Sequence, residues 1–476
     1  IGMTTRGVVV FYSCLVACCC EGRPTGVWRR LRAGSSLEFG NADGLLSSRT
    51  PQNRALKATS TAIRDLNLCV PRSLRAGTSQ TDSGKHSRVK RVLVFGGTGR
   101  VGGSTIEWLR KMAAEGDFAL EIAVAGRNKR RFDALQRVAE GSAVPNTKLS
   151  FVELDFTDSL AMREAISYEA SSGKAWDLVI HTAGPFQRKK ENEVLDACLE
   201  AGVAYVDVCD DTELALSAKR KGDAAAKAKD IPVLISTGIW PGVSALMAKK
   251  VVQAMEREMG TKPTHLDMNF FTAGTGGAGA TILSATFLLL CEPVRVMLDG
   301  QQRTLKPWTS NQIIDFGSRV GKKPTYLLDQ PEVVMCGKYL GVPNVESRFG
   351  TAPDAWNQLF KAIAILPANL LSNRDLMQKF AVFSLPIVRL VDSLVGSTNA
   401  MRVDATLEGE PGRRFSSLIV HDSLSSCVGQ ATAAFAMEVL EGRVASGVQF
   451  PVELKDDNVD HILARVKDDA IDWKVP

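Results

Sequence analysis

The sequence is poor in the groups from which most catalytic and metal sites are assembled. It has only five histidines, His86, His181, His265, His421 and His461, and they form no cluster. Its ten cysteines are unevenly placed: Cys14, Cys18, Cys19 and Cys20 crowd the start, and the other six are scattered with no CxxC pair among them. That pattern excludes a disulfide framework and a zinc site, so no metal is expected. Aromatic residues make up 7% of the chain, an ordinary globular share once the 45% hydrophobic content is considered. Excess positive charge is also missing where it would matter. The net charge is +6, but residues 1–90 carry 14 Lys and Arg against 5 Asp and Glu, which leaves the remainder at −3. A mildly acidic body gives nucleic-acid binding no electrostatic basis.

The beginning of the chain reads as an address. Gly7-Val-Val-Val-Phe-Tyr-Ser-Cys-Leu-Val-Ala-Cys-Cys-Cys20 is an apolar run of 14 residues, too short to span a bilayer comfortably. Arg6 before it and small residues at its end suit the apolar core of a signal peptide. A stretch rich in Arg and Ser and poor in acids follows, with Arg29, Arg30, Arg32, Ser35, Ser36, Ser47, Ser48 and Arg49. Signal and transit segments in tandem form a bipartite targeting segment, and the expected destination is the plastid (chloroplast) stroma. The competing reading is a disordered tail with an accidental apolar run.

What the chain does have is Val92-Leu-Val-Phe-Gly-Gly-Thr-Gly-Arg-Val-Gly-Gly-Ser104. A short apolar run ends in closely spaced glycines and passes at once into the helical pattern Thr105-Ile-Glu-Trp-Leu-Arg-Lys-Met112. This is the order of a first strand, a phosphate-cradling turn and a first helix in a dinucleotide-binding unit. The cofactor-binding candidates here are Gly96, Gly97, Thr98, Gly99, Arg100, Val101 and Gly102. A second strand, expected over 121–125, ends in Gly126-Arg127-Asn128. NAD enzymes usually carry an acid at that position to hold the ribose 2′-hydroxyl, whereas a guanidinium can pair with a 2′-phosphate. Arg127 and Asn128 therefore favour NADP(H) over NAD(H), unless Arg127 is merely a solvated loop residue.

Further strands are expected over 149–154, 178–182, 204–208 and 233–236, with helical stretches between them over 103–115, 129–139, 159–170, 188–201 and 213–229. That alternation predicts an α/β fold with a Rossmann-type doubly wound parallel sheet and ligands beyond the strand C-termini. Asp155, Ala183, Gly184 and Pro185 lie at such ends and join the cofactor candidates, while Asp158 reads as a helix cap. Asp207, Cys209 and Asp210 end the fifth strand and are the catalytic candidates, although the run Asp207 to Asp211 also suits a capped, solvated helix start. No tyrosine has a lysine four residues on, so the Tyr-x-x-x-Lys pair of short-chain dehydrogenases, and with it a sugar-nucleotide epimerase, is excluded.

Beyond Gly238 the pattern changes to a second α/β domain with a mixed, largely antiparallel sheet, signalled by Tyr326-Leu-Leu and Met401-Arg-Val-Asp-Ala-Thr-Leu407. The glycine-rich Phe271-Thr-Ala-Gly-Thr-Gly-Gly-Ala-Gly-Ala280 suits either an anion-binding loop or a tight strand-to-helix turn. The apolar helical stretches 360–371 and 376–395, broken by Pro367 and Pro386, suit buried core, a subunit contact or a membrane surface. The resulting organisation is a targeting or disordered segment over 1–88, a dinucleotide-binding domain over 89–237, a substrate or dimerisation domain over 238–420, and a C-terminal segment over 421–476 returning to the first domain.

Taken together, these motifs resemble the saccharopine dehydrogenase-like oxidoreductase family, particularly its plastid members. The likeness is carried by 96–104, Ala125-Gly-Arg-Asn128, Thr182-Ala-Gly-Pro-Phe186, Ala204-Tyr-Val-Asp-Val-Cys-Asp-Asp211, Gly238-Ile-Trp-Pro-Gly-Val-Ser244 and Ala273-Gly-Thr-Gly-Gly-Ala-Gly279. The resemblance implies NADP(H)-dependent hydride transfer to a small imine or carbonyl substrate. Two departures, Trp240 for the usual Tyr and Ala280 for the usual Pro, lie on the presumed substrate side. The alternative is a catalytically silent nucleotide-binding scaffold or accessory subunit of a larger plastid complex, with peripheral membrane association or a homodimer as further partners.

Overall fold

The computed structural model describes residues 88–476 apart from 117, 143, 172–174, 188, 275–279, 291 and 367–370. The targeting reading of 1–88 falls almost wholly outside the described residues, as does the middle of the glycine-rich loop that ends at Ala280.

The first half alternates strand and helix. In chain order the elements are β1 (Arg88–Phe95), α1 (Arg100–Ala113), β2 (Phe118–Gly126), α2 (Lys129–Gly141), β3 (Thr147–Glu153), α3 (Ser159–Ser171), β4 (Leu178–His181), α4 (Glu193–Ala201), β5 (Ala204–Asp207), α5 (Thr212–Ala228) and β6 (Pro232–Leu234). Val92 to Phe95 and Leu178 to Ile180 are continuous apolar runs with at most 1% exposure, because helices cover a parallel sheet on both faces. The helix expected from 188 starts at Glu193, where the Asn192 side chain accepts from Leu195 N and ends the preceding loop.

After β6 come α6 (Val243–Met259), β7 (His265–Ala273), α7 (Ala280–Leu289), β8 (Val294–Leu298), β9 (Gln301–Leu305), β10 (Gln312–Asp315), β11 (Lys322–Leu327), α8 (Pro331–Leu340), β12 (Asn344–Ala352), α9 (Asp354–Ile363), α10 (Arg374–Val395), β13 (Thr398–Leu407) and β14 (Glu410–His421). The chain closes with α11 (Leu424–Leu440), β15 (Gly447–Gln449), α12 (Asp456–Lys467) and β16 (Asp472–Lys474).

Two sheets result. The first has seven strands in the order β15-β6-β5-β4-β1-β2-β3, all parallel. The second runs β10-β11-β12-β7-β13-β14-β16 with β8 and β9 at its flank. Among the described residues its one parallel pair is β12 with β7, and the other pairs are antiparallel. The fold is α/β: a Rossmann-type sheet joined to a mixed, mostly antiparallel one. One face of the second sheet packs Met268, Phe270, Met401, Val403 and Ile419 into the same core as Leu246 and Val251 of α6.

The C-terminus re-enters the first sheet through β15, and α11 lies on α1. Trp108 Nε1 donates to Ser426 Oγ at 3.3 Å, and a Cβ on Gly429 would lie 2.4 Å from Ser104 Oγ. Ser423 caps α11, its side chain accepting from Ser426 N. Pro386 does not break its helix as expected. It sits inside the 22-residue α10 on the exposed side, where water can satisfy the carbonyl that the missing N–H leaves free.

Candidate functional site: a cofactor cleft at the strand ends

The order of the first sheet reverses between β1 and β4, and that switch point opens a crevice beyond their C-termini. Two segments meet there. The turn after β1 carries Gly96 in the left-handed region at φ +75°, where a Cβ would lie 3.0 Å from the Ala183 backbone. Only glycine permits both the conformation and the approach. Gly102 is equally constrained, since its Cβ would lie 2.3 Å from Gly96 O and 2.7 Å from Gly97 Cα. These contacts hold the turn against α1. Gly99 caps α1 without a side-chain bond, and the first turn contains no acid. The helix thus presents first-turn amides and its partial positive charge to the crevice, an arrangement suited to an anion. The cradle fits a diphosphate: small, dipole-directed and closed to any side chain.

On one side of this cradle lie the ends of β2 and β3. Arg127 Nη1 is 3.4 Å from Asp155 Oδ2, and both side chains are largely open to solvent. Asp155 also accepts from Thr157 Oγ1 at 2.7 Å and Thr157 N at 3.1 Å. These bonds, more than the guanidinium, hold its carboxyl below the usual range. Asn128 is the cap of α2, its side chain accepting from Arg131 N at 3.1 Å. Asp158 caps α3 through Leu160 N and Ala161 N.

On the other side lies the segment after β4. Thr182 N and Oγ1 both donate to Phe95 O, at 3.0 and 2.8 Å, which ties it to β1. Ala183, Gly184 and Pro185 follow, and Arg374 reaches over from α10 to donate to Pro185 O at 3.3 Å and Gln187 O at 2.6 Å. His181 is 1% exposed within a ring cluster of Phe95, Phe156, Phe186 and Tyr205. Burial pushes its pKa down to about 3, so it is a neutral core histidine.

The catalytic candidates separate. Asp207 has no exposed surface, and its carboxylate accepts from Ser236 N (2.9 Å), Cys209 N (3.1 Å), Tyr205 OH (3.0 Å) and Asn192 Nδ2 (3.2 Å). Burial raises its pKa to about 6, while the four donors act the other way. It braces the ends of β5 and β6 rather than facing a ligand. Cys209 also has no exposed surface, and burial drives its thiol well above the ordinary range, the opposite of a reactive cysteine. Sequence reasoning grouped both with Asp210 because it could not separate the inward from the outward side of a strand end. Asp210 alone is partly exposed as a residue, yet burial of its carboxyl, with Asp211 and Asp207 nearby, pushes its pKa up to about 6. Asp211 caps α5 through Leu214 N at 2.8 Å.

Two groups escaped the sequence reading. Lys189 Nζ stands 5.1 Å from the Phe156 ring centre and 5.8 Å from that of Phe186. Burial, then the nearby Arg374, lowers its pKa. In sequence it is one of two adjacent lysines and looks like a solvated pair. Glu332, at the start of α8, has no exposed surface and accepts from Ser244 Oγ, and burial pushes its pKa up to about 7. Behind Pro331 it reads as an ordinary first-turn acid, and no local signal marks it as buried. Trp240 stacks on Phe270 with centres 5.5 Å apart, which fixes the segment from Gly238 against the second sheet.

Residues 92–233 match the family model of the saccharopine dehydrogenase NADP binding domain. A saccharopine dehydrogenase-like oxidoreductase of Rattus norvegicus is 25% identical over 202 residues, which cover 41% of this chain and 44% of that protein. The match thus spans less than half the length of this curated relative. Among solved structures, a mutant meso-dapdh from Clostridium tetani has a TM-score of 0.34 at 12% identity, covering 78% of this chain and 96% of that one. Glucose-6-phosphate 1-dehydrogenase from Mycobacterium avium has a TM-score of 0.28 at 11% identity, covering 71% and 76%. Over residues 92–233 the chain is therefore similar to the saccharopine dehydrogenase NADP binding domain, and over about two fifths of its length to a saccharopine dehydrogenase-like oxidoreductase.

Proposed function

We propose that this protein is an NADP(H)-dependent oxidoreductase that reduces a small imine or carbonyl compound. The observation that carries this reading is the glycine cradle at the β1–β4 switch point, closed to side chains and facing an uncapped helix start. Bound there, the coenzyme supplies the hydride. The amides of residues 96–102 hold its diphosphate, and Arg127 meets the 2′-phosphate at the rim. Residues 182–185 border the nicotinamide end. Asp207 acts indirectly, by fixing the ends of β5 and β6. Reduction of a C=N or C=O bond places a hydride on carbon and a proton on nitrogen or oxygen. Asp210, the partly exposed acid after β5, supplies that proton, and its raised pKa keeps more of it protonated near neutrality than an ordinary aspartate would be.

The test is twofold: titration with NADPH and NADH, then NADPH oxidation against a panel of amino acids paired with keto and aldehyde partners. Tight NADPH binding with turnover on one pair supports the reading. A second reading, a silent nucleotide-binding scaffold in a plastid complex, draws on the burial of Asp207 and Cys209. Tight binding without turnover on any pair, together with recovery from native membranes at fixed stoichiometry, favours it. The plastid assignment itself rests on the composition of residues 1–88, and imaging that fused segment outside plastids would remove it.

A further inference from the structure

Four polar side chains from four elements converge where β4 and β5 end. Gln187 comes from the segment after β4, Asp210 from the segment after β5, Ser244 from the first turn of α6 and Glu332 from the first turn of α8. Gln187 and Glu332 have no exposed surface, and Asp210, partly exposed, opens the group to solvent. Ser244 Oγ donates to Glu332 Oε1, which ties α6 to α8. Burial raises the pKa of both carboxyls. Beyond burial, the Gln187 amide opposes the rise at Asp210, and Asp210 adds to the rise at Glu332, so the three side chains are neighbours. Yet Gln187 Nε2, Gln187 Oε1 and Glu332 Oε2 are buried with no hydrogen-bond partner. Among the described residues no cation pairs with Asp210 or Glu332. Buried polar atoms are normally paired, so three unpaired atoms around two unpaired acids call for an occupant.

We propose that Gln187, Asp210 and Glu332 bind the protonated amino group of a ligand. Three arguments select that chemistry. First, an ammonium has three donors and no acceptor, and the site offers Glu332 Oε2, the Asp210 carboxylate and the Gln187 oxygen. Both polar atoms of Gln187 are free, so its oxygen can meet the ligand whichever way the amide is turned. Second, an ammonium compensates the two neighbouring acids. A carboxylate or phosphate would add a third negative charge, and an alcohol brings none to offset them. Arg374 does not fill this role, because its guanidinium is turned to Pro185 O and Gln187 O. Third, Gln187 stands two residues beyond Pro185, at the end of the cleft assigned above to the nicotinamide. That this amino group is the nitrogen of a reduced C=N bond rests on the reductase reading; the binding itself does not.

The test compares n-butylamine with 1-butanol on the full chain without coenzyme, by ligand-observed NMR and calorimetry. The expected result is saturable binding of the amine and not of the alcohol. Amine binding should tighten by about tenfold between about pH 5.5 and about pH 7.5, as the two carboxyls ionise while the amine stays charged. The other charged groups beside them are all acids: Asp207 and Asp211 at Asp210, and Asp329, itself paired with Arg295 at 2.8 Å, at Glu332. Glu332→Gln keeps an acceptor for Ser244 Oγ, and should weaken the amine about tenfold and flatten its pH dependence. Gln187→Met removes a neutral partner and should weaken it a few-fold. Both variants should melt no lower than the wild type at neutral pH, since neither breaks a bond that Gln187 or Ser244 makes through its side chain. Equal binding of amine and alcohol, no saturable binding of the amine, or unchanged affinity in both variants would overturn the proposal. NADPH titration of the same samples separates the two readings. Amine binding without NADPH binding keeps this site and removes the reductase; NADPH binding without amine binding does the reverse.

Discussion

Arg127 and Asp155 form an ion pair at 3.4 Å across the ends of β2 and β3, at the rim of the glycine cradle. If this is where a 2′-phosphate arrives, the guanidinium must exchange a carboxylate for a phosphate, and Asp155 is a competitor. Arg127→Ala should therefore weaken NADPH binding by about 10- to 100-fold, the worth of a charge-assisted hydrogen bond, and leave NADH nearly unchanged. Asp155→Asn should act in the opposite direction and tighten NADPH by a few-fold, as expected for an exposed pair. Fluorescence titration of both coenzymes on both variants decides it. Unchanged selectivity in Arg127→Ala would remove this residue from cofactor recognition.

Gly102→Ala places a methyl group 2.3 Å from Gly96 O, a backbone atom that cannot swing aside. The turn must deform at the point where its amides converge. NADPH affinity should fall by at least about tenfold, with loss of stability of about 1–3 kcal/mol from overpacking. Gly103→Ala is the control, since its Cβ would meet nothing closer than 3.7 Å. Equal affinities for the two variants would mean that the cradle does not hold the coenzyme.

The cradle was legible because it is local: glycines, turn and helix start are contiguous in sequence, and physical constraints on φ and close approach leave few substitutes. The parallel sheet was legible for a similar reason, through continuous apolar runs at regular spacing. What was not legible depends on direction. Asp207 and Asp210 stand three residues apart at one strand end, yet one has no exposed surface and the other is partly exposed. Glu332 was missed because its burial comes from α6, whose Ser244 is 88 residues away in sequence. Pro386 misled because the rule against proline in a helix is relaxed where the freed carbonyl faces water.

The brace reading of Asp207 has its own consequence. Asp207→Asn replaces an oxygen that accepts hydrogen bonds with an amide that donates them, facing donors already in place. The loss should appear as stability, about 2–4 kcal/mol, because a buried network is broken from one side. A thermal melt measures this directly. A proton donor would behave otherwise: its asparagine variant would melt like the wild type and lose turnover, which is the outcome expected of Asp210→Asn.

Glu332 makes stability depend on pH in an unusual direction. Its pKa in the fold is about 7 against an ordinary 4.5, so the folded state holds the proton more tightly than the unfolded chain. Below about pH 4.5 both states are protonated and the group costs nothing. As pH rises toward 7 the unfolded chain ionises first, and folding loses stability progressively; above 7 the loss is constant. A shift of this size corresponds to about 3 kcal/mol. Glu332→Gln keeps an acceptor for Ser244 Oγ and cannot ionise, so it should match the wild type near pH 4.5 and exceed it by about 2–3 kcal/mol at pH 8. Urea unfolding of both proteins at the two pH values provides the measurement. Parallel profiles would show that Glu332 ionises in the fold as readily as in water, and that Ser244 is not its only means of accommodation.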